Sequence, residues 1–282
     1  MPVMDDDYAW RLIQDARSKA RVAPTTLADS KAQQSPIIID ERHAWQFEGE
    51  CSASAAALLD ALLPVALGGP HFVIAQLGQS LDGRIATDSG HSHYVTGHAS
   101  RIHLHRLRAL VDAVIVGAGT VAADDPQLTV RHVDGTNPVR VVLDPRARLH
   151  ADRGLFADTE TPTLHVVGPE AGPSPAGVER VVLDCPAQAM DPAAVLAMLA
   201  DRGLTRVLVE GGGVTISRFL DAGLLDRLHV VVAPMLIGSG RPALSLEPIM
   251  RLDTALRPSC RHQVMGDDMF FDLDLRTPAS PG

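Results

Sequence analysis

The residues best placed to do chemistry in this chain are glycines. Val207-Leu208-Val209-Glu210-Gly211-Gly212-Gly213-Val214-Thr215 ends an apolar run on three glycines and leads directly into a helical pattern. Bare glycines let a phosphate approach the backbone closely, and the first amides of a following helix present partial positive charge to it. The same run also suits a tight packing turn. It is not GxGxxG, so the ordinary dinucleotide fingerprint is absent. A second loop, Gly117-Ala118-Gly119-Thr120, also follows an apolar run. Together the two loops predict a nucleotide cofactor whose phosphates rest on backbone amides.

Arginine supplies the second theme. Arg101, His105 and Arg108 share one helical face at spacings of four and three, and Arg131 follows Asp124-Asp125-Pro126-Gln127-Leu128-Thr129-Val130. Guanidinium groups bind phosphate bidentately, so these residues suit a clamp for an anionic substrate, although a solvated helix face gives the same spacing. His91, His93, His98, His103 and His105 crowd together, but no His-Glu-x-x-His is present and no pair among them is spaced i, i+4. No metal site is expected. A Gly-x-Ser-x-Gly elbow is also missing, which disfavours a serine hydrolase. Gly238-Ser239-Gly240 reads as a structural turn, and Asp267-Asp268 as a solvated loop.

Strand and helix patterns that alternate from His71 onward must position these groups. Strands are predicted at His71 to Leu77, Ala113 to Val116, Val139 to Leu143, Thr163 to Val167, Arg206 to Val209, His229 to Ala233 and Phe270 to Leu275. Helices are predicted at Ser100 to Leu110, at Pro192 to Arg202 with Gly203 as C-cap, and at Val214 to Ala222 closed by Gly223. Gly78 to Gly83 reads as a loop. Such alternation indicates an α/β sheet covered by helices on both faces, with ligands beyond the carboxyl ends of the strands. Residues 1–69 read as a separate arm or small subdomain that covers the body or a dimer contact. A helix is expected there from Tyr8 to Ala20, a polar stretch from Pro24 to Pro36, a short strand at Pro36-Ile-Ile-Ile-Asp40, and a helix from Ala53 to Leu63 ended by Pro64.

Composition narrows the class further. The chain has 282 residues, 46% hydrophobic and 21% charged, which are ordinary proportions for a soluble globular protein. Its formal charge of −9 and an aromatic fraction of 4% argue against a nucleic-acid binder. Cys51, Cys185 and Cys260 form no CxxC pair, so free thiols in a reducing, cytoplasmic setting are expected. No apolar run reaches the roughly 18 residues of a membrane span. The acidic Met-Pro-Val-Met-Asp-Asp-Asp start does not resemble a secretory signal.

Taken in order, the motifs resemble one family. They are Ser80-Leu-Asp82-Gly83-Arg-Ile-Ala, Gly90-x-Ser92 and Thr96, then His105-Arg-Leu-Arg108 through Gly117-Ala-Gly-Thr120. They continue through Asp124-Asp125-Pro126-x-Leu128-Thr-Val-Arg131, Asn137 to Asp144, Val209-Glu210-Gly211-Gly212 and Ala233-Pro234-x-Leu-Ile-Gly238. This set resembles the pyrimidine reductase of riboflavin biosynthesis. That enzyme is the reductase half of the bifunctional bacterial deaminase–reductase and also has free-standing archaeal and fungal counterparts. The likeness covers about residues 70 to 275.

The resemblance implies a dihydrofolate-reductase-like three-layer fold, with a central mixed, mostly parallel sheet and helices on both faces, over residues 70–282. It implies NADPH as hydride donor, a homodimer, and a phosphorylated ribosylaminopyrimidine whose ribosyl group is reduced to ribityl. It places Ser92, Arg108, Leu128, Arg131 and Glu210 at the substrate, with Arg108 and Arg131 on the phosphate. It places Gly78, Tyr94, Thr120, Asp124, Gly211, Gly212, Gly213, Val214 and Thr215 at NADPH. Asp82 is the one carboxylate named for catalysis, as an orienting group or proton relay; capping of the Asp82-Gly83 turn would also explain it. Two departures stand out: Tyr94 replaces a usual Trp, and Gln76 stands where many fused enzymes have Lys. The His-x-Glu…Pro-Cys-x-x-Cys signature of the deaminase is missing. Two rivals remain: a same-fold reductase of a pterin-like or specialised-metabolite substrate, and a non-catalytic nucleotide-binding protein.

Overall fold

Short β-branched runs buried on both faces give parallel strands at the centre of a sheet, and this chain has several of them. In the computed structural model, residues 3–19, 25–28, 35–40, 44–185 and 189–278 are described. The chain divides into two compact units, Met1–Phe72 and Val73–Gly282.

The first unit carries β1 (Val3–Met4), α1 (Asp6–Lys19), β2 (Thr25–Leu27), β3 (Ile37–Ile39), β4 (Trp45–Phe47), β5 (Glu50–Cys51) and α2 (Ala53–Ala66). β1 pairs with β5 in parallel, and β2–β3–β4 form an antiparallel sheet. α1 packs on α2, and Tyr8, Leu12 and Ile13 of α1 and Leu58, Leu59 and Leu62 of α2 are all buried. Ser52 caps α2 by accepting from the Ala55 N–H. The expected stop at Pro64 does not occur. Pro64 lies inside the last turn, where it removes one backbone donor, and the helix runs only two residues further, to Ala66. Ala20, Pro24 and residues 29–34 of the expected helix end and polar stretch lie outside the described residues.

The second unit begins on β6 (Phe72–Ser80) and β7 (Arg84–Ala86). It continues with α3 (His98–Leu110), β8 (Ala113–Gly117), α4 (Ala118–Asp124), β9 (Val139–Leu143), α5 (Gly154–Ala157) and β10 (Thr163–Val167). Next come β11 (Glu179–Val182), α6 (Pro192–Ala200), β12 (Arg206–Glu210), α7 (Gly213–Asp221) and β13 (Arg227–Ala233). The last strands are β14 (Arg241–Pro242), β15 (Pro258–Met265) and β16 (Asp268–Pro278). The central sheet runs β11-β10-β9-β8-β12-β6-β13-β16-β15. It is parallel from β11 through β9 to β8 and β12, and again from β6 to β13; the β16 and β15 pairings are antiparallel. This is the mixed, mostly parallel sheet the motifs imply.

Alternation along each strand separates two layers. Ala75, Leu77, Ile115, Val141, Val166, Val207 and Val209 pack in one core with Val195 and Leu199 of α6 and Ile216 and Phe219 of α7. α3 covers the opposite face, where its His103 meets His229 of β13. Helices therefore lie on both faces. Gly78 to Ser80 extends β6 instead of forming a loop, because β13 pairs with it up to Ser80. Asp268 is buried and accepts from the Gly97 N–H at 2.7 Å, so it anchors the start of α3 and is not solvated loop.

Candidate active site

β8 and β12 are parallel neighbours, so their carboxyl ends bring the two glycine loops side by side. Gly117 and Gly212 are the N-caps of α4 and α7, and neither helix start is capped by a side chain. The loops interlock. The Gly212 N–H donates to Thr120 Oγ1 at 2.8 Å, while Thr215 Oγ1 lies 2.6 Å from where a Cβ on Gly117 would stand. Gly211 has φ +111°, a conformation that favours glycine. A Cβ on Gly213 would lie 2.2 Å from the Ala243 carbonyl oxygen, so that position requires glycine for packing.

These loops floor a cavity of about 600 Å³. Among the sequence-predicted residues, Gly78, Thr120, Asp124, Gly211, Gly212, Gly213, Val214 and Thr215 line it, as does Ser92. Ser92 Oγ donates to Asp124 Oδ1, which joins a residue predicted for substrate to one predicted for cofactor. Arg148, Arg218 and Arg241 also stand in the wall. Their role is not evident from the sequence. Arg218 lies one helical turn beyond Val214, a spacing that points to it, whereas Arg241 follows a turn that reads as structural. Open helix starts, bare glycines and three guanidinium groups fit a phosphate-bearing nucleotide.

Arg108, Leu128, Arg131 and Glu210 form an adjoining cluster. Buried Arg108 donates Nε–H to Glu210 Oε2 at 2.9 Å, Nη2–H to Oε1 at 2.5 Å, and Nη1–H to the Thr129 carbonyl at 2.9 Å. Most of its donors are therefore committed within the protein. Arg131 is exposed, and its Nη1 donates to Gln127 Oε1 and Thr129 Oγ1. Burial and the neighbouring Arg108 push the Arg131 guanidinium below its usual range, and Glu210 opposes that shift. The Arg131 N–H donates to His105 Nδ1 at 3.0 Å. Burial, Arg108, Arg131 and His132 lower His105 to about 3, so it is a neutral acceptor. Leu128 (φ +56°) and Tyr94 (φ +63°) both adopt left-handed backbone, a strain that concentrates at functional sites. The Tyr94 ring is exposed, with the Arg101 guanidinium 5.0 Å from its centre.

Asp82 stands apart from the cavity lining. It accepts from Ser80 Oγ at 2.5 Å, from the Gly238 N–H at 2.6 Å and from the Ile237 N–H at 3.2 Å. The Ser80 bond and the two amides hold it at about 2. Such a group is ionised throughout the neutral range and donates no proton there. Its geometry fits the orienting alternative: it ties the 237–238 turn to the end of β6. Among the described residues, no group of three or more His, Cys, Asp or Glu side chains could hold a metal ion. Cys51, Cys185 and Cys260 are free thiols.

Comparison with known proteins follows this geometry. The RibD C-terminal domain matches residues 71–269. The 2,5-diamino-6-ribosylamino-4(3H)-pyrimidinone 5′-phosphate reductase of Methanothermobacter thermautotrophicus is 35% identical over 215 residues, covering 73% of this chain and 98% of that protein. The riboflavin biosynthesis protein RibD of Mycobacterium tuberculosis is 36% identical over 194 residues, 67% of this chain, but only 50% of RibD is spanned. Among solved structures, a diaminohydroxyphosphoribosylaminopyrimidine deaminase/5-amino-6-(5-phosphoribosylamino)uracil reductase from Thermotoga maritima superposes with TM-score 0.64 at 27% identity. That match covers 80% of this chain and 64% of the other. The chain therefore belongs to the RibD C-terminal domain family, the reductase family of riboflavin biosynthesis.

Proposed function

We propose that this chain is an NADPH-dependent reductase that converts the ribosyl group of a phosphorylated ribosylaminopyrimidine to ribityl, as in riboflavin biosynthesis. The observation that carries this reading is the cavity at the carboxyl ends of β8 and β12, where two uncapped helix starts meet in a chain of this family. Gly117 to Thr120 and Gly211 to Thr215 would hold the cofactor's phosphates on backbone amides. Bound there, a reduced nicotinamide would supply the hydride. Ser92, Asp124 and the exposed Tyr94 ring would orient the two reactants, and the walls would exclude water. Arg131 would meet the substrate phosphate while Glu210 and Arg108 fix the loop beneath it.

The preference for NADPH over NADH is assigned to Arg148. It follows the carboxyl end of β9 in the cavity wall, and buried Asp144 fixes its loop by accepting from the Leu149 N–H at 2.9 Å. Arg148→Ala should bring NADPH and NADH affinities closer together. Residues 70–282 are assigned to the reductase and a homodimer is the expected assembly, which sedimentation would measure. A cytoplasmic setting accords with the free thiols. Among the described residues, no helix is long and apolar enough to cross a membrane.

The test supplies the ribosylaminopyrimidinone phosphate with NADPH and follows both cofactor absorbance and product mass. Cofactor consumption with a gain of two hydrogens in the product is expected. NADPH binding without consumption would overturn the substrate assignment and leave a nucleotide-binding protein.

A further inference from the structure

A buried carboxylate without a cation beside it needs another source of positive charge, and Asp268 is such a group. It is 4% exposed, and among the described residues it forms no ion pair. Its Oδ2 accepts from the Gly97 N–H at 2.7 Å, at the partly positive start of α3. In a capping box this bond to the N-cap amide comes from a side chain three residues into the same helix. Here it comes from the first residue of β16, 171 residues away. The neighbouring Asp267 is exposed, so the pair divides into one buried anchor and one solvent-facing group. The hairpin turn before them packs on the same helix start. Gly266 has φ +66°, and a Cβ there would lie 3.3 Å from Ala99 Cβ.

Residues 92–97 run between this anchor and a second one. At the other end, Ser92 Oγ donates to Asp124 Oδ1. Between the two, Thr96 Cγ2 sits 2.6 Å from where a Cβ on Gly78 would stand, so the segment lies directly on a residue of the cavity wall. Tyr94 is the strained residue of the bridge, with φ +63°. Such a backbone persists only where its surroundings over-determine it. The tie at Gly97 is three residues away along the chain. A second link closes through space: the Arg101 N–H donates to the Gly97 carbonyl at 3.4 Å, and the Arg101 guanidinium lies 5.0 Å from the Tyr94 ring centre. The Asp268 bond to Gly97 therefore reaches Tyr94 by two routes, one along the chain and one through Arg101.

We propose that Asp268 is a positioning residue for the reduction, holding the Tyr94 ring in place beside the reactants through Gly97 and Arg101. This deepens the reductase reading above and rests on it. The motif resemblance gives Asp268 no role, and the sequence reads it as solvated loop. An aromatic ring orients a hydride donor and acceptor only when its own place is fixed, because a misplacement of about 1 Å costs up to about a hundredfold in rate. The Tyr94 ring is exposed and stands on strained backbone, so its place is set by the ties at the two ends of its segment.

The test compares Asp268→Ala, Asp268→Glu and Asp268→Asn with an Asp267→Ala control, using NADPH with and without deuterium at nicotinamide C4. Asp268→Ala removes the acceptor, and Asp268→Glu pushes Gly97 outward by one methylene, so either decides the matter if the other does not fold. Both should lower kcat about tenfold or more while KM for NADPH and for the ribosylaminopyrimidinone phosphate holds. The deuterium isotope effect on kcat should be at least as large as in the wild type, which locates the loss in the hydride step. Asp268→Asn keeps an acceptor for the Gly97 amide and should restore most of kcat, and Asp267→Ala should match the wild type. A loss carried by KM, a vanished isotope effect, or an Asn variant no better than Ala would overturn the assignment. If the wild type consumes no NADPH, the reductase reading fails and the anchor is judged on the ring itself. The chain has two tyrosines, Tyr8 and Tyr94. With 3-fluorotyrosine incorporated, the Tyr94 fluorine resonance, identified by its loss in Tyr94→Phe, should move in Asp268→Ala and return in Asp268→Asn. A resonance that stays in place in Asp268→Ala would overturn the anchor in that case as well.

Discussion

Arg108 and Glu210 face each other as a two-bond ion pair, with side chains only 6% and 12% exposed. One partner comes from α3 and the other from the end of β12, 102 residues apart in sequence. A buried charge is tolerated only when it is paired. Glu210→Gln would leave the Arg108 guanidinium uncompensated, so unfolding by denaturant should show a loss of about 3–5 kcal/mol. A loss near zero would mean that Arg108 reaches solvent or another anion, and that the pair does not hold α3 to the sheet.

Arg131 makes no such commitment, and its substitution should separate binding from folding. Arg131→Ala is expected to weaken substrate binding by about 1.5–3 kcal/mol, the scale of a hydrogen bond to a charged group. NADPH affinity should stay nearly constant. Titrating each ligand against the folded variant checks this; parallel loss of both affinities would contradict the substrate role.

Two glycines of the proposed cofactor cavity should respond in opposite ways. A Cβ on Gly119 would meet nothing within 4 Å, so Gly119→Leu should fold normally while its side chain enters the cavity. Its NADPH Kd should rise at least tenfold, about 1.4 kcal/mol. Gly213→Ala would instead drive a methyl group into the Ala243 backbone, and overpacking of this kind costs about 1–3 kcal/mol of stability. Fluorescence titration and thermal melts of both variants give the comparison, and equal behaviour would refute the distinction.

His103 predicts how stability depends on pH. Its ring is buried between His229 and Phe270, and its Nε2 lies 3.0 Å from His229 Nδ1. Burial, His229 and Arg106 hold it well below the ordinary histidine range, against an opposing pull from Asp272. The unfolded chain therefore takes up this proton first as pH falls. The stabilisation is complete above about pH 6.5 and declines below it by up to ~1.4 kcal/mol per pH unit. Urea midpoints between about pH 5 and 7.5 should show this slope, and His103→Leu should reduce it. A slope unaltered in the variant would place the titration elsewhere.

Asp82 predicts the opposite kind of silence. Held at about 2 by Ser80 and the amides of Ile237 and Gly238, it contributes stability that is full above the ordinary aspartate range and is lost only as pH falls toward 2. Asp82→Asn should therefore leave the shape of the neutral pH–rate profile intact while loosening the 237–238 turn, which proteolysis or hydrogen exchange would detect. Loss of an ionisation near neutrality in the variant would restore Asp82 as a proton relay.

The local grammar of this protein is written in its sequence. Strands such as Val139–Leu143 and Thr163–Val167 stand where β-branched runs predicted them, because a strand buried on both faces needs little beyond such a run. The glycine loops are equally legible, since only glycine adopts the φ of Gly211 without cost or allows the Gly213 approach. Pro64 and the Gly78 to Ser80 segment misled: α2 runs through Pro64 to Ala66, and pairing with β13 keeps Gly78 to Ser80 in β6.

The sequence by itself therefore determined the alternation of elements, the two glycine turns and the family's motif order. Only the tertiary structure decided that Arg108 is spent on Glu210, that Asp82 anchors a turn 155 residues away, and that Arg148, Arg218 and Arg241 share one cavity wall. The reason is physical. Periodicity and turn chemistry act over a few residues, whereas partners in an ion pair are chosen by parallel crossovers that bring distant strand ends together.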